Sequence, residues 1–284
     1  MKVTHLYHSG CLVELDNHLL LFDYYQGELH LNQEKPLYVF VSHRHYDHYN
    51  PNIFKIHHPQ ITYILSNTLR HKYDAYYVDI HQTYQIDDLS ISTLLSTDEG
   101  CAFLVHVENQ TIYHAGDLHW WHWEGEPEQD NIYQKQTYLQ EICSIKEPVD
   151  LACVVVDIRQ EKDYLLGLNA FLRHVPTKYI LPIHYFGHYE TTKLLLQEHL
   201  DNPYHAQILP VTHQNQTFEI KRTFRTKVLC LFLWYNFQPV IIRIMNKIKS
   251  HCFIFKTYAS HVLMQLMICF IIINNKTNMT FIFT

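Results

Sequence analysis

The first 220 residues of this 284-residue chain predict an α/β layered sandwich. Short apolar runs separated by turn residues dominate the N-terminal part, and apolar runs alternate with helical segments towards residue 220. Strands that come first and then alternate with helices are typical of stacked sheets covered by helices, and they argue against an all-β barrel. With 47% apolar residues, the chain can bury one sizeable core.

The strands expected in the N-terminal half are short. Apolar-rich runs bounded by turn residues lie at residues 2–8, 11–17, 18–25, 37–43, 62–66 and 85–95. The first three are typical of an antiparallel meander. The fourth, LYVFVSH, is a continuous apolar run that indicates a buried strand. Asn50-Pro51 introduces a predicted helix over residues 51–58, because proline is tolerated in the first helical turn.

The following part of the chain completes the predicted sandwich. CAFLVHVENQTIYHAGD, residues 101–117, predicts a hairpin that turns at residues 108–110. The other expected elements are strands at residues 151–157, 178–184, 206–211 and 216–220, and helices at residues 165–175 and 190–200.

Residues 118–147 interrupt this alternation. They begin with LHWWHW, which contains Trp120, Trp121 and Trp123, and continue with an acidic stretch and a predicted helix. Because the segment directly follows a strand end, one interpretation is a wall or lid over a pocket. The other is an ordinary insertion whose tryptophans pack against the fold.

Charged residues are unevenly distributed along the chain. The net charge is −6, but nine Lys and Arg and no acidic residue follow from Lys221 onward, so residues 1–220 carry a net charge of −15. Nucleic-acid phosphates are bound by clustered Lys and Arg. We therefore expect no nucleic-acid partner. The oligomeric state is not predicted.

Cysteine usage and the N-terminus indicate the compartment. The seven cysteines are an odd number without a CxxC pair, and several lie in apolar runs such as LACVVVD. This is typical of reduced thiols rather than of a disulfide framework. The first residues, MKVTHLYHSG, lack the apolar core of a signal peptide. We expect a cytoplasmic protein.

Residues 221–284 differ in composition from residues 1–220. They contain no glycine and no acidic residue, and their apolar run HVLMQLMICFIII spans 13 residues. A membrane helix needs about 20 such residues, so membrane contact by this tail is not expected. The composition resembles translated AT-rich DNA outside a reading frame. We therefore expect one domain, residues 1–220, followed by an out-of-frame or poorly ordered extension.

Four metal-ligand side chains lie close together in FVSHRHYDHYN, residues 40–50. His43 and His45 are two positions apart and point to the same side of an extended segment. Asp47 and His48 follow where the chain turns, so they can point at a second position. Imidazole and carboxylate groups bind Zn²⁺, and also Mn or Fe. The H-x-H-x-D-H spacing therefore predicts a metal site.

This motif resembles the metal-binding motif of the metallo-β-lactamase fold superfamily, in its branch of ascorbate-6-phosphate lactonase-like hydrolases. The matching segments are VSHRHYDHYN, TIYHAGDLHWW and KYILPIHYFG, in the expected order, and the resemblance covers about residues 1–220. It implies a four-layer αβ/βα sandwich with a metal site at one edge of the two sheets.

The resemblance also implies six metal ligands: His43, His45, Asp47, His48, Asp117 and His184. The first two would bind one metal ion. The next two would bind a second ion together with His184, and Asp117 would bridge both ions. Asp23, in LLFDYY, matches an acid that braces the ligand loop.

One expected ligand is missing. The family supplies a third histidine to the first metal just before the hairpin, whereas this chain has LLSTDEGCAF there. Asp98 or Glu99 can replace it, because carboxylate oxygen also binds Zn²⁺, and we favour Asp98. The alternatives are a weakly held first metal, no first metal, or a plain turn at these two residues.

These residues predict a metal-dependent hydrolase with one or two Zn²⁺ ions, or Mn or Fe in their place. A metal-bound hydroxide would attack an ester, lactone or phosphodiester of a small molecule. Asp47 is the predicted catalytic residue, orienting the hydroxide and passing its proton to the leaving group. The alternatives are a nuclease or RNA-processing phosphodiesterase, and a metal-binding protein of the same fold without turnover.

Two further side chains have open roles. Arg159 either holds a carboxylate or phosphate of the substrate or forms an ion pair with Asp157 or Glu161. His8 ends the first predicted strand and either approaches the pocket or is a buried, hydrogen-bonded histidine.

Overall fold

The computed structural model describes residues 1–220, and these residues form two seven-stranded sheets. The first sheet contains β1 (Lys2–Tyr7), β2 (Gly10–Glu14), β3 (Leu19–Phe22), β4 (Leu37–Val41), β5 (Ile61–Ser66), β6 (Tyr76–Val78) and β14 (Gln216–Glu219). The second sheet contains β7 (Thr83–Ile86), β8 (Leu89–Leu95), β9 (Cys101–Val107), β10 (Gln110–His114), β11 (Val149–Val155), β12 (Thr177–Ile183) and β13 (Gln207–Ile208). The predicted extension, residues 221–284, lies outside the described residues.

Helices cover the sheets. In the described part of the chain the α-helices are α1 (Glu128–Ser144), α2 (Leu166–His174) and α3 (Glu190–Leu195), and the 3-10 helices are Pro51–Lys55 and Ile158–Asp163. Helix α2 packs on β11 and on α1. Within residues 1–220, no helix combines the length and the apolar character that crossing a bilayer requires.

The strand directions bring polar residues to common edges. The strand orders are β14-β1-β2-β3-β4-β5-β6 and β13-β12-β11-β10-β9-β8-β7. Strands β1, β2 and β3 form the predicted antiparallel meander, and β9 and β10 form the predicted hairpin. Strands β3 and β4 are parallel neighbours, as are β10, β11 and β12. The residues that follow parallel neighbours therefore meet at one edge of each sheet.

The core lies between the two sheets. Phe22 and Phe40 of the first sheet stack with ring centroids 4.6 Å apart, and Phe40 contacts Phe103 of the second sheet at 5.3 Å. The sulfur atoms of Cys11 and Cys153, one from each sheet, are 3.5 Å apart. Full burial of one phenylalanine side chain contributes about 1.5–3 kcal/mol to the stability of the fold. The two-sheet sandwich predicted from the sequence is confirmed.

The outer face of the first sheet has a thin cover. Its apolar cluster, which includes Leu19, Leu37 and Val39, is closed by Ile53 of the first 3-10 helix. The predicted helix over residues 51–58 is thus shorter and tighter than expected. It ends before His58, which precedes a proline, and that position disfavours helical backbone.

Candidate metal centre

Polar side chains from both sheets meet at one edge of the sandwich. Asp23 and His43 follow β3 and β4, while Asp117, Asp157 and His184 follow β10, β11 and β12. Asp23 and His184 have φ angles of 41° and 75°, a left-handed backbone that costs energy in residues other than glycine. Such strained positions concentrate at functional sites. The fold therefore places the predicted ligand segments together.

Three histidines direct their Nε2 atoms at Asp117. Nε2 lies 3.3 Å from an Asp117 carboxylate oxygen in His43, 3.0 Å in His48 and 3.3 Å in His184. All four side chains are buried. The structure thus places Asp117 at the centre of the site, where a bridging ligand is expected.

Asp23 braces the histidine loop. It accepts a hydrogen bond from Nδ1 of His48 at 2.8 Å, and from the backbone N–H and the hydroxyl of Ser42 at 2.7 and 2.6 Å. Since that hydroxyl donates to Asp23, it accepts from Nδ1 of His43 at 2.9 Å. Protons held on both Nδ1 atoms leave the Nε2 lone pairs free to face Asp117, as in metal-binding histidines.

Asp157 has the same relation to His184. Its Oδ2 accepts from Nδ1 of His184 at 3.1 Å. Nε of Arg159 lies 2.9 Å from both oxygens of Asp157. Arg159 therefore forms the expected ion pair with Asp157, and Asp157 orients a predicted ligand, a role that the sequence did not indicate.

Several buried atoms of the cluster have no well-directed hydrogen bond. They are Nε2 of His43, Nε2 of His48 and Oδ1 of Asp117. Each unpartnered buried polar atom costs about 1–3 kcal/mol. A divalent cation would be bound by all three atoms, because each offers a lone pair. The side chains present therefore fit a metal ion.

The charges of these groups depend on one another. Burial favours a raised pKa for Asp117, but the charges of His48 and His184 hold the pKa of that carboxyl well below its usual value. Burial favours lowered pKa values for the two histidines, but the charge of Asp117 raises both above their usual value. In the metal-free protein these imidazoles therefore bind protons, which a metal ion must displace.

The position of the missing third histidine is occupied by two carboxylates. Nδ1 of His45 lies 3.8 Å from Oδ2 of Asp98, and its Nε2 lies 3.1 Å from Oε2 of Glu99. Glu99 also pairs with Nε of Arg44 at 2.8 Å. Ligand atoms of His45, Asp98 and Asp117 all lie within 4.8 Å of one another. This geometry favours Asp98 as the replacement ligand.

Asp47 lies on the other side of the cluster. Its ligand atom is within 4.8 Å of those of His8, His48 and His184. Burial favours a raised pKa for Asp47, but His8 and the charge of His48 lower this pKa to about 2. Burial lowers the pKa of His8 to about 3. At neutral pH the aspartate is thus ionised and His8 is neutral.

A cleft of about 500 Å³ opens onto these side chains. Asp47, Asp117 and His184 line its floor, and Trp121 and Trp123 form one wall. The two indole rings are nearly parallel, with centroids 5.8 Å apart, and Nε1 of Trp121 donates to the backbone carbonyl of Asp117 at 3.1 Å. Of the two interpretations of LHWWHW, the structure supports the pocket wall.

Buried hydrogen bonds fix this wall in place. The Thr97 hydroxyl donates to the carbonyl of His119 at 2.6 Å, and Oε1 of Gln160 lies 2.7 Å from Nε2 of that histidine. Gln160 also donates to the carbonyl of Trp120 at 3.2 Å. At the other end of the run, the side chain of Asn131 accepts from the N–H of Trp123 at 3.3 Å and donates to its carbonyl at 3.4 Å. The segment therefore has the contacts of a wall rather than those of a lid.

Comparisons with known proteins agree with this geometry. Residues 2–129 match the family model of the β-lactamase superfamily domain. A curated protein named UPF0173 metal-dependent hydrolase, from Carboxydothermus hydrogenoformans, is 27% identical over 208 residues, which cover 65% of this chain and 84% of that protein.

Solved structures show the same sandwich. Igni18, a metallo hydrolase from the archaeon Ignicoccus hospitalis, aligns with a TM-score of 0.53 and 16% identity over 78% of this chain and 100% of its own. CmlA, a diiron β-hydroxylase from Streptomyces venezuelae, aligns with a TM-score of 0.54 and 11% identity over 77% of this chain and 54% of its own. This chain has the metallo-β-lactamase fold.

Some residues that line the cleft were not predicted from the sequence. Phe186 and Thr97 line the cleft. Phe186 follows His184 by two residues and Thr97 directly precedes Asp98, so their closeness in sequence to predicted ligands could have indicated them. Gln134 reaches the cleft from α1 and carries no local signal.

Proposed function

We propose that this metallo-β-lactamase fold chain is a hydrolase that binds two divalent metal ions and cleaves an ester, lactone or phosphodiester of a small molecule. The observation that carries the proposal is the convergence of His43, His48 and His184 on Asp117 at the floor of an open cleft. The curated relative named a metal-dependent hydrolase supports the same reaction class.

The ligands divide into two sets that share Asp117. One set is His43, His45, Asp98 and Asp117, and the other is Asp47, His48, Asp117 and His184. Mixed imidazole and carboxylate ligands suit Zn²⁺, which we propose as the metal, with Mn or Fe as alternatives. When bound, such ions polarise a carbonyl or phosphoryl oxygen and lower the pKa of water to about 7.

The side chains of the cleft have separate tasks. Asp47 is ionised and partly open to the cleft, so it can accept a proton from the attacking water and return it to the leaving group. Trp121 and Trp123 offer aromatic surface to an apolar part of the substrate. Arg159 retains N–H groups beyond those bound by Asp157 and can hold a carboxylate or phosphate.

The wider setting follows from the same features. The acidic composition of residues 1–220 disfavours nucleic acid, so we propose a small-molecule substrate. A cytosolic location agrees with the free thiols of Cys11, Cys101 and Cys153 in the core. The lactonase-like resemblance makes sugar lactones one class to include among trial substrates.

The test is a hydrolysis screen of the Zn²⁺-loaded full chain against lactones, carboxylic esters, phosphodiesters and RNA. The proposal predicts turnover of one of the first three classes and loss of at least about 100-fold in kcat for Asp47→Ala. Asp201→Ala, which removes a surface carboxylate paired with Arg173, is the matched control and should retain activity. Turnover of RNA alone, or equal activity in both variants, would contradict the proposal.

A further inference from the structure

His8 lies at the metal centre without belonging to the six ligands implied by the resemblance. It is fully buried, and its φ of 53° is a left-handed backbone conformation. Its ring stacks on Phe186 at 3.7 Å and lies 4.3 Å from the ring of His184. The ligand-like proximity of its Nε2 to Asp47, His48 and His184 raises the question of whether it binds the metal.

Its hydrogen bonds answer that question. The backbone N–H of Phe186 donates to Nδ1 of His8 at 3.1 Å. An N–H can donate only to a nitrogen with a lone pair, so the proton of the neutral ring lies on Nε2. A nitrogen that carries a proton has no lone pair for a metal ion. Backbone contacts therefore give His8 a tautomer that cannot serve as a ligand through Nε2.

The Nε2–H of His8 faces one carboxylate. Oδ2 of Asp47 lies 3.3 Å away, and Nε2 makes no well-directed hydrogen bond to any group within residues 1–220, so this carboxylate is the acceptor nearest to hand. The backbone of His8 is also fixed, because its carbonyl accepts from the N–H of His184 at 3.1 Å. The ring is thus a rigid donor, and Asp47, which lies within a turn and is partly exposed, is the more adjustable partner.

We propose that His8 is a positioning residue that holds Oδ2 of Asp47 through its Nε2–H, so that Oδ1 is presented to the metal. This inference rests on the proposed metal function of Asp47. It adds to the seven proposed ligands a side chain that acts on a ligand rather than on the metal or the substrate.

Two substitutions separate positioning from ligation. His8→Gln retains an acceptor for the Phe186 N–H and a donor for Asp47, but its amide is a poor Zn²⁺ ligand. His8→Phe retains the stacked ring and removes both hydrogen-bonding groups. Zn²⁺ binding to the metal-free full chain is measured by competition with a chromophoric chelator, and folding is checked by thermal unfolding. The control is His18→Phe. His18 is a buried histidine that directly precedes β3, at the end of that strand away from Asp23 and the metal centre.

Positioning predicts that His8→Phe weakens one Zn²⁺ site by about 10- to 100-fold, as for other residues that orient a ligand. His8→Gln should stay within about threefold of wild type, and His8→Phe should add no loss in an Asp47→Ala background. Equal losses in His8→Gln and His8→Phe would instead make His8 a ligand. Unchanged binding in His8→Phe, or a full further loss in the Asp47→Ala background, would also overturn the proposal. A wild-type chain that binds no Zn²⁺ would contradict the proposed function itself.

Discussion

The carboxylate of Asp23 lies 2.8 Å from Nδ1 of His48, although the two residues are 25 positions apart in the chain. Asp23 ends β3, and His48 lies in the loop after the parallel neighbour β4, so the contact joins two strand ends. Both side chains are completely buried. The pair fixes which nitrogen of His48 faces Asp117, and it shows how the fold prepares the site before any metal binds.

Removing this brace is expected to weaken metal binding. The two carboxylate oxygens of Asp23 accept hydrogen bonds from Ser42 and His48. In Asp23→Asn only one oxygen can accept, and the amide N–H₂ that replaces the other faces a donor with which it cannot form a hydrogen bond. We expect Zn²⁺ affinity to fall by about 10- to 100-fold, as measured by chelator competition. Asp201→Asn on the surface should leave the affinity unchanged. An equal affinity in Asp23→Asn would show that Asp23 is not a brace.

The replacement of the missing histidine can be tested by counting metal ions. Asp98→Ala should lower the Zn²⁺ content by one ion per chain while the second ion remains, because His43, His45 and the shared Asp117 hold the first ion only weakly. Glu99→Ala, which removes the carboxylate paired with Arg44, should retain both ions. If Glu99→Ala loses the ion and Asp98→Ala does not, the assignment is reversed.

The pKa shifts predict how the metal-free protein responds to pH. The raised pKa values of His48 and His184 stabilise the fold fully below their unfolded value of 6.5 and lose that effect as pH rises through the folded values. The lowered pKa of Asp117 stabilises the fold above its unfolded value of 3.8 and loses that effect as pH falls. Both contributions are present in full only between these two values, and the histidine contribution is lost progressively above them.

The Tm of the metal-free chain should therefore be highest just below pH 6.5 and decline towards alkaline pH. It should also decline towards lower pH, because burial lowers the pKa values of His5, His8 and His119 to about 4, 3 and 4, so the unfolded chain binds more protons there. Zn²⁺ should remove that decline, because it replaces the protons on the imidazoles. The measurement is Tm against pH with and without Zn²⁺. A metal-free Tm that rises steadily from pH 6 to pH 9 would contradict the assigned charges.

The end of the sandwich away from the metal centre has its own clasp. Glu108, in the β9–β10 turn, accepts from the backbone N–H of Asn17 at 2.7 Å and of Asp16 at 3.1 Å, and contacts Nδ1 of His18 at 2.8 Å. Glu108→Ala should lower the free energy of unfolding by about 1 kcal/mol, because two exposed backbone donors and the imidazole of His18 lose a charged acceptor.

Urea unfolding measures this change, and Glu124→Ala, at a side chain that is 74% exposed, is the control. Zn²⁺ affinity should be the same in both variants, since Glu108 lies at the opposite end of β10 from Asp117. A stability equal to wild type in Glu108→Ala would show that the clasp carries little of the sheet-to-sheet contact.

The aromatic wall is expected to act on substrate binding rather than on chemistry. Trp123→Ala removes apolar surface from the cleft while leaving the Trp121 hydrogen bond to Asp117 intact. If a substrate buries about 60 Å² on this ring, the loss is about 1.5 kcal/mol, or roughly tenfold in KM. Steady-state kinetics should show that rise with kcat nearly unchanged. A fall in kcat at constant KM would place Trp123 in the chemistry instead.

Local patterns predicted the elements of the sandwich well. The apolar runs that become β4 and β11 are buried along their whole length, and the run in β12 is buried from Ile180 onward, so composition alone marks them as core strands. The 3-residue strand β6 was not predicted, because the apolar run that contains it, residues 75–78, is only four residues long and lies between two aspartates.

The residues of the candidate site that lie in motifs were predictable from the sequence. The side chains that contact them from distant segments were not. His43, His45, Asp47 and His48 share one short stretch, and Asp117 and His184 end recognisable strands. The pairing of Asp157 with His184 and the contact of His8 with Asp47 depend on which strand ends the sheets bring together. Periodicity along one segment contains no information about such contacts.

The most direct test of the account is the metal content of the full chain and of its Asp117→Ala variant, measured by atomic emission after loading with Zn²⁺ and gel filtration. Asp117 contacts the Nε2 atoms of three histidines, so it should contribute to both ion sites. The account predicts two ions per chain in the wild type and fewer than one in Asp117→Ala, with both chains folded by circular dichroism. A folded wild-type chain without bound metal, or a variant that retains both ions, would contradict it.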